Sequence, residues 1–165
     1  MNKTTTTIMG IDFGIVNKML IAFNDSEAFY KVTVAPTTKT NRRLIKDKED
    51  PYIILDKYNF IFAISVVNLA IKHNAKMIQM ENLAGTEFTK NQFYFELQRQ
   101  IQYLGSQRGI ASRYVNRDFT SQKCSKCGFI HKGNRIDQSS FLCLKCGFRI
   151  NADHNAAKNI ANISG

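Results

Sequence analysis

The chain has 165 residues, 44% of them hydrophobic, which is enough for one domain with its own core and a small additional module. Its formal net charge is +10, which favours a polyanionic partner, above all nucleic acid. A generally basic soluble protein with no such partner is the plainer alternative. The longest apolar stretch, 58–71, is interrupted by Ser65 and Asn68 and is too short for a bilayer, and no signal peptide is recognisable, so we expect a cytoplasmic protein.

The first part of the chain is rich in strand-forming residues. Ile8–Phe23 contains Gly14 and a bend at 17–18, which predicts a hairpin, and Phe29–Val34 predicts a third strand. The polar stretch 37–50 is expected to be an exposed connection.

Helices and strands are expected to alternate after this connection. The segment 57–73 is apolar nearly all round, which predicts a helix buried against a sheet, and 76–80 predicts a short strand that ends beside Glu81. A second helix over 88–107 and a fifth strand over 110–115 follow, with Gly109 as a helix C-cap between them. A last helix is expected over 153–163. This order predicts an α/β fold, a mixed five-stranded sheet flanked by helices.

All four cysteines lie in one run, C-x2-C, a gap of 15 residues and C-x2-C, and each pair is followed by glycine. Two such turns allow four sulfurs to bind one zinc ion tetrahedrally, and a closed four-sulfur shell is typical of a structural site. Disulfide pairing is the alternative, which a cytoplasmic location disfavours. The zinc ligands predicted from this pattern are Cys124, Cys127, Cys143 and Cys146.

The module around these cysteines is basic, which suits contacts with phosphates. Solvation of a small module is the simpler explanation of the same charges. The basic residues are Lys123, Lys126, Lys132, Arg135, Lys145 and Arg149.

Three acids stand at the ends or edges of predicted elements. Asp12 lies in a strand between Gly10 and Gly14, where the missing side chains would leave space for a metal ion and a phosphate. Glu81 follows a strand, and Asp153 begins the last helix, where it could simply be an N-cap. Taken singly, each could be an ordinary surface acid.

An RNase H-like sheet would place the first strand beside the fourth and the last helix next to both, so that Asp12, Glu81 and Asp153 converge. Three carboxylates so close would repel one another unless cations neutralise them. Two Mg2+ or Mn2+ ions about 4 Å apart would do so and could support phosphodiester hydrolysis.

Four segments of this chain resemble the RuvC nuclease domain of TnpB (OrfB) transposon proteins and of compact type V CRISPR effectors. They are Gly-Ile-Asp-Phe-Gly at 10–14, Met-Glu-Asn-Leu at 80–83, Thr-Ser-Gln-Lys-Cys-Ser-Lys-Cys-Gly at 120–128, and Asn-Ala-Asp-His-Asn-Ala-Ala-Lys-Asn-Ile at 151–160.

The resemblance implies an RNase H-like (RuvC) core over 1–118, an inserted zinc ribbon of the target nucleic-acid-binding type over 119–150, and a helix over 151–165 that completes the core. It implies metal-dependent endonuclease activity on DNA that is directed by a guide RNA in a prokaryotic cell or its mobile elements. Asp12, Glu81 and Asp153 take the positions of the acidic triad. Arg135 takes the position of an arginine that approaches the scissile phosphate.

The chain departs from this family because only 11 residues precede Asp12, whereas relatives carry the lobes that bind guide RNA there. We therefore expect another protein subunit or a second copy to supply guide recognition. Two other functions stay open at this point: a catalytically silent nucleic-acid-binding or assembly subunit, and a standalone junction resolvase.

Overall fold

The structure is a computed structural model that describes residues 6–14, 18–33, 51–83 and 92–164. Its main sheet has five strands, which are β1 (Ile8–Gly14), β2 (Lys18–Phe23), β3 (Phe29–Thr33), β4 (Met77–Glu81) and β5 (Ala111–Val115). Their order in the sheet is β3-β2-β1-β4-β5. The first three strands are antiparallel, while β1, β4 and β5 run parallel to one another. The predicted five-stranded mixed sheet, with the first strand beside the fourth, is therefore confirmed.

Helices cover both faces of this sheet. On one face, α1 (Pro51–Lys72) and α2 (Gln92–Ser106) pack over the main core. On the other face, α3 (Ala152–Ala161) packs against β1 and β2. Because side chains alternate along a strand, every second residue of a central strand faces α1 and α2, and the residues between them face α3.

The first helix packs against the sheet, as its apolar sequence predicts. One side of α1 is nevertheless exposed and carries Phe60, Ile61, Ile64 and Ile71. The sheet and α2 cover its other sides, which carry Ala63, Val66 and Ala70 in the core. A uniformly apolar sequence does not tell which side a neighbour covers.

The cysteine module follows β5 and returns directly into α3. It contains a two-stranded antiparallel ribbon of β6 (Ser140–Leu142) and β7 (Arg149–Asn151), which ends where α3 begins. Gly109, at φ 69°, turns the chain after α2 into β5, as expected of a residue that follows a helix end. Residue 17 of the bend predicted at 17–18 and the connection predicted over 37–50 lie outside the described residues.

Candidate active site

Asp12 lies on the face of β1 that α3 covers. Its neighbours Met9, Ile11 and Phe13 point to the opposite side and are buried in the main core. Gly10 shares the face of Asp12, and a Cβ placed on it would lie 2.3 Å from the carbonyl oxygen of Ala157. The expectation that this glycine leaves room for a metal ion was therefore wrong: the room is taken by the backbone of α3.

Glu81 is the last residue of β4, and its side chain is only about 3% exposed. Its Oε1 accepts a hydrogen bond of 2.7 Å from the backbone N–H of Phe13, and its backbone carbonyl accepts one of 2.9 Å from Gln98. The guanidinium of Arg117 lies 3.5 Å from Oε2. The carboxyls of Glu81 and Asp12 are also hydrogen-bonded to each other, so these two acids from adjacent strands form one pair.

Asp153 lies in the first turn of α3, as predicted, but it does not cap the helix. The cap is Asn151, whose side-chain oxygen accepts hydrogen bonds of 3.1 Å from the N–H groups of Asp153 and His154. The Asp153 carboxylate instead pairs with two cations, Arg135 at 3.3 Å and Lys31 at 3.6 Å. Since a different residue satisfies the helix start, the carboxylate is available for contacts outside the helix.

The electrostatics of the cluster are those of confined like charges. Burial first, and the charge of Asp12 second, raise the pKa of Glu81 to about 8, against the lowering effects of the N–H of Phe13 and of Arg117. Burial is also the main reason why the pKa of Asp12 is raised to about 6; the hydrogen bond to Glu81 opposes this rise, and the charge of Asp153 adds to it. Oxygen donors held in this way suit hard divalent cations such as Mg2+ or Mn2+.

The three carboxylates are less tightly gathered than the cysteines. Within the described parts of the chain, only the four cysteines form a group of three or more acidic, histidine or cysteine ligands whose donor atoms all lie within 4.8 Å of one another. Cations supplied by the protein lie against the carboxylates instead. Sequence reasoning found one of them, Arg135, which also donates to the carbonyl of Gln138 at 2.9 Å.

Two cations at the site were missed. Lys31 shares a face of β3 with Phe29, which packs on the α3 side, so strand alternation in the sequence carried a signal for it. Arg117 follows β5 by two residues, and nothing in its local sequence indicates that Glu81 lies beside it.

The four sulfurs are arranged as a tetrahedral zinc site requires. Cys124 and Cys146 Sγ atoms are 3.8 Å apart, and those of Cys127 and Cys143 are 3.6 Å apart. Bonds of about 2.3 Å in a tetrahedron place sulfurs about 3.8 Å from one another, so the residues fit zinc.

The two cysteine turns have the same backbone pattern. In each, the glycine N–H bonds back to the carbonyl of the first cysteine, at 2.8 Å for Gly128 and 2.9 Å for Gly147. Both glycines have φ near 70°, a conformation that a residue with a Cβ rarely adopts. This repetition explains why a glycine follows each cysteine pair.

The aromatic residues of the ribbon serve mainly its own packing. Phe129 and Phe148 pack against the buried cluster of Cys124, Phe141 and Cys143. Two lysines lie over these rings, Lys126 at 5.6 Å and Lys145 at 6.0 Å from the ring centres, so cationic groups are held at the ribbon surface.

The two histidines near the site have structural partners. His131 accepts a hydrogen bond of 3.0 Å from the N–H of Gly133, and His154 stacks on Phe29 with ring centres 4.5 Å apart.

In the described residues, no helix combines the length and the apolar character needed to cross a bilayer.

Comparison with known proteins identifies the relatives of this chain. Residues 94–160 match the family model described as Cas12f1-like, TNB domain. The CRISPR-associated endodeoxyribonuclease Cas12f1 of Sulfoacidibacillus thermotolerans is 32% identical over an alignment of 190 residues that covers 93% of this chain. The chain is similar to Cas12f1 over most of its own length. TnpB-like relatives match a shorter part of it, so the predicted resemblance to TnpB and compact CRISPR effectors is confirmed.

Solved structures agree with this relationship. Cas12f1 in a complex with sgRNA and target DNA matches with a TM-score of 0.77 and 28% identity, over 94% of this chain and 50% of that one. RuvC of T. thermophilus with a Holliday junction matches at a TM-score of 0.54 and 12% identity over 94% of this chain and 90% of that one, which confirms the RuvC fold. The chain spans 45% of the S. thermotolerans protein.

Proposed function

We propose that this chain is the nuclease part of an RNA-guided DNA endonuclease. The observation that carries the proposal is that Asp12 of β1 and Glu81 of β4 form a carboxylate pair, and that the charge of Asp153 of α3 acts on Asp12. The matched relatives support it, since one is named an endodeoxyribonuclease and a solved neighbour is a complex with sgRNA and target DNA.

We assign the binding of two Mg2+ or Mn2+ ions to Asp12, Glu81 and Asp153. Such ions activate a water molecule and stabilise the leaving oxygen of a phosphodiester. The protein itself fixes one carboxylate oxygen of Glu81 through the N–H of Phe13 at 2.7 Å. Arg135, held at Asp153, supplies positive charge where a scissile phosphate would lie.

We assign the RuvC core to residues 1–118 and 151–165, and we assign the loading of the strand to be cut to the basic surface of the ribbon at 119–150. Zinc at Cys124, Cys127, Cys143 and Cys146 stabilises the ribbon and takes no part in hydrolysis, because four sulfurs leave no open position.

The substrate we propose is single-stranded or unwound DNA in a prokaryotic cytoplasm. A guide RNA selects it, and a further protein segment, a separate subunit or a second copy provides the lobes that hold the guide. The share of Cas12f1 that this chain spans, 45%, leaves more than half of that relative's length for such lobes.

The test is Mg2+-dependent cleavage of labelled single-stranded DNA by the chain purified with any RNA or protein that accompanies it. Asp12→Ala should lower the cleavage rate by at least about 100-fold, because a removed metal ligand costs more than the 10–100-fold typical of its supporting residues. Glu96→Gln is the matched control: this carboxylate pairs with Arg99 on α2, on the opposite side of the sheet. Equal cleavage by wild type and Asp12→Ala would refute the proposal.

A second candidate, a catalytically silent binding subunit, is favoured by the cations that already neutralise the acids. Arg117 lies against Glu81, while Arg135 and Lys31 lie against Asp153. Such a subunit would bind DNA and leave it intact in Mg2+ and in Mn2+, even with the guide present. Cutting of a four-way junction without RNA would instead indicate a standalone resolvase.

A further inference from the structure

Three buried asparagines connect the zinc ribbon to the helix that carries Asp153. Asn155 is fully buried: its side-chain oxygen accepts a 3.0 Å bond from the N–H of Ser125, and its amide donates to the carbonyl of Lys123 at 2.8 Å. Asn159, 4% exposed, donates to the carbonyls of Thr120 at 2.8 Å and Lys123 at 2.6 Å.

The spacing of these residues explains why they act together. Positions 155 and 159 are one turn apart and therefore lie on one face of α3. Asp153 stands at the start of the same helix. The ribbon segment 120–125, which contains the first zinc-binding cysteine, is thus fastened to α3 by side-chain amides.

The third asparagine carries the connection onward to Arg135. Asn134 is fully buried, and its amide donates to the carbonyls of Gln122 at 2.9 Å and Phe129 at 3.2 Å. Its side-chain oxygen accepts a 3.0 Å bond from the N–H of Leu144, beside the second cysteine pair. The next residue is Arg135, whose guanidinium reaches Asp153. The bonds form a closed loop from α3 through the ribbon and back to α3.

We propose that Asn155 and Asn159 are positioning residues, an amide latch that holds the ribbon on α3 and thereby holds Arg135 at Asp153. The second half of the ribbon is joined to α3 by the chain itself, through β7 and a bond of 2.8 Å from the N–H of Ala152 to the carbonyl of Ser139. The first half reaches α3 through the amide latch. It reaches the second half through the sulfurs, through Asn134, through the packing of Phe129 against Phe141 and Cys143, and through the bridge between Arg135 and Phe141. Loss of the amide latch therefore loosens both the zinc site and Arg135.

Burial makes the amide latch strong. Each amide bonds to backbone groups that have left water, so truncation leaves buried donors and carbonyls without a partner, and this costs more than the bond itself contributes. Because every partner is main chain, the latch depends on ribbon backbone geometry and not on which basic residues the ribbon carries.

The first experiment needs no DNA and compares Asn155→Ala with the control Asn162→Ala, whose side-chain amide donates to the carbonyl of Lys158 in its own helix. We expect amide hydrogen exchange in 120–125 and around Arg135 to rise about tenfold or more, and zinc release to a chromogenic chelator to accelerate, in Asn155→Ala alone. Unchanged exchange and zinc release in Asn155→Ala would overturn the proposal. If that variant does not fold, Asn159→Ala, which removes two donor contacts, is measured in its place.

The second experiment rests on the proposed function and asks whether the latch acts through Arg135. If it does, Asn155→Ala and Arg135→Ala should each slow cleavage about tenfold or more, and the double variant should be no slower than Arg135→Ala. Losses that multiply would overturn the positioning role. If the wild-type protein does not cleave DNA at all, the proposed function fails. The hydrogen-exchange and zinc-release measurements would still show whether the amide latch holds the ribbon on α3.

Discussion

The backbone of α3 lies close against β1 at Gly10, and this contact makes a sharp prediction. A Cβ at this position would lie 2.3 Å from the carbonyl oxygen of Ala157 and 2.4 Å from the N–H nitrogen of Ala161. Both atoms belong to the backbone of α3, which cannot turn aside as a side chain can. Gly10→Ala therefore has to push the helix away from β1.

The size of the displacement follows from these distances. Ordinary contacts of a Cβ are 3.4–4 Å, so α3 has to retreat by roughly 1 Å at Ala157. Overpacking usually costs about 1–3 kcal/mol, and we expect about 3 kcal/mol here because backbone has to move. A domain of this size loses about 2–4 °C in Tm per kcal/mol, so Tm should fall by about 6–12 °C.

The same retreat moves Asp153 away from Asp12. A misplacement of about 1 Å at a reacting centre can cost about 100-fold in rate, so Gly10→Ala should impair cleavage at temperatures where it is still folded. The assays are thermal unfolding and single-stranded DNA cleavage. The control is Gly105→Ala on α2, where the nearest atom lies at 3.4 Å and alanine favours the helix. A Gly10→Ala protein with the Tm and the cleavage rate of wild type would refute the packing of α3 on β1.

Three further outcomes are expected. In metal-free protein, burial raises the pKa of Glu81 from its ordinary 4.5 to about 8, so the folded state binds more protons than the unfolded chain between these values. Stability in urea should therefore fall from pH 5 to pH 8, by about 3–4 kcal/mol at about 1.4 kcal/mol per pKa unit, and Glu81→Gln should flatten the slope; an unchanged slope would contradict the shift. Cys143→Ser should release zinc and slow cleavage about tenfold or more while the far-UV spectrum of the sheet persists, because Arg135 is carried by the ribbon; full cleavage without zinc would count against this. Lys31→Ala should make the slope of the logarithm of the DNA-binding constant against the logarithm of the salt concentration shallower by about one unit. Lys72→Ala, in α1 on the opposite face of the sheet, should leave this slope unchanged.

Much of the site could be predicted because its signals are local. Asp12 stands in a strand pattern whose alternation sends Ile11 and Phe13 to the core, so its own direction follows. The position of β1 beside β4 follows from the connection through a helix, which favours parallel neighbours, and this brings Glu81 near. The cysteine spacing alone predicts a four-sulfur site.

The other features of the site depend on which surfaces of the folded chain pack together, and no short sequence pattern specifies that packing. Gly10 was expected to make room for a ligand, but a missing side chain equally makes room for a helix, and the sequence does not distinguish the two. Arg117 reaches Glu81 across 36 residues of chain. Asn155 and Asn159 did carry a signal that was not used: polar residues one turn apart beside the alanines of a buried helix face require partners.

The position of the ribbon in the chain has a physical reason. A helix of ten residues such as α3 is marginal in isolation, so its place on the sheet depends on tertiary contacts. On one side its backbone lies against Gly10, and on the other Asn155 and Asn159 are bonded to the ribbon. Asp153 stands one turn or less before the first of these attachments, at the start of the same helix, so both attachments together determine where its carboxylate lies relative to Asp12. The four-cysteine module placed directly before this helix therefore helps to fix the position of the acid.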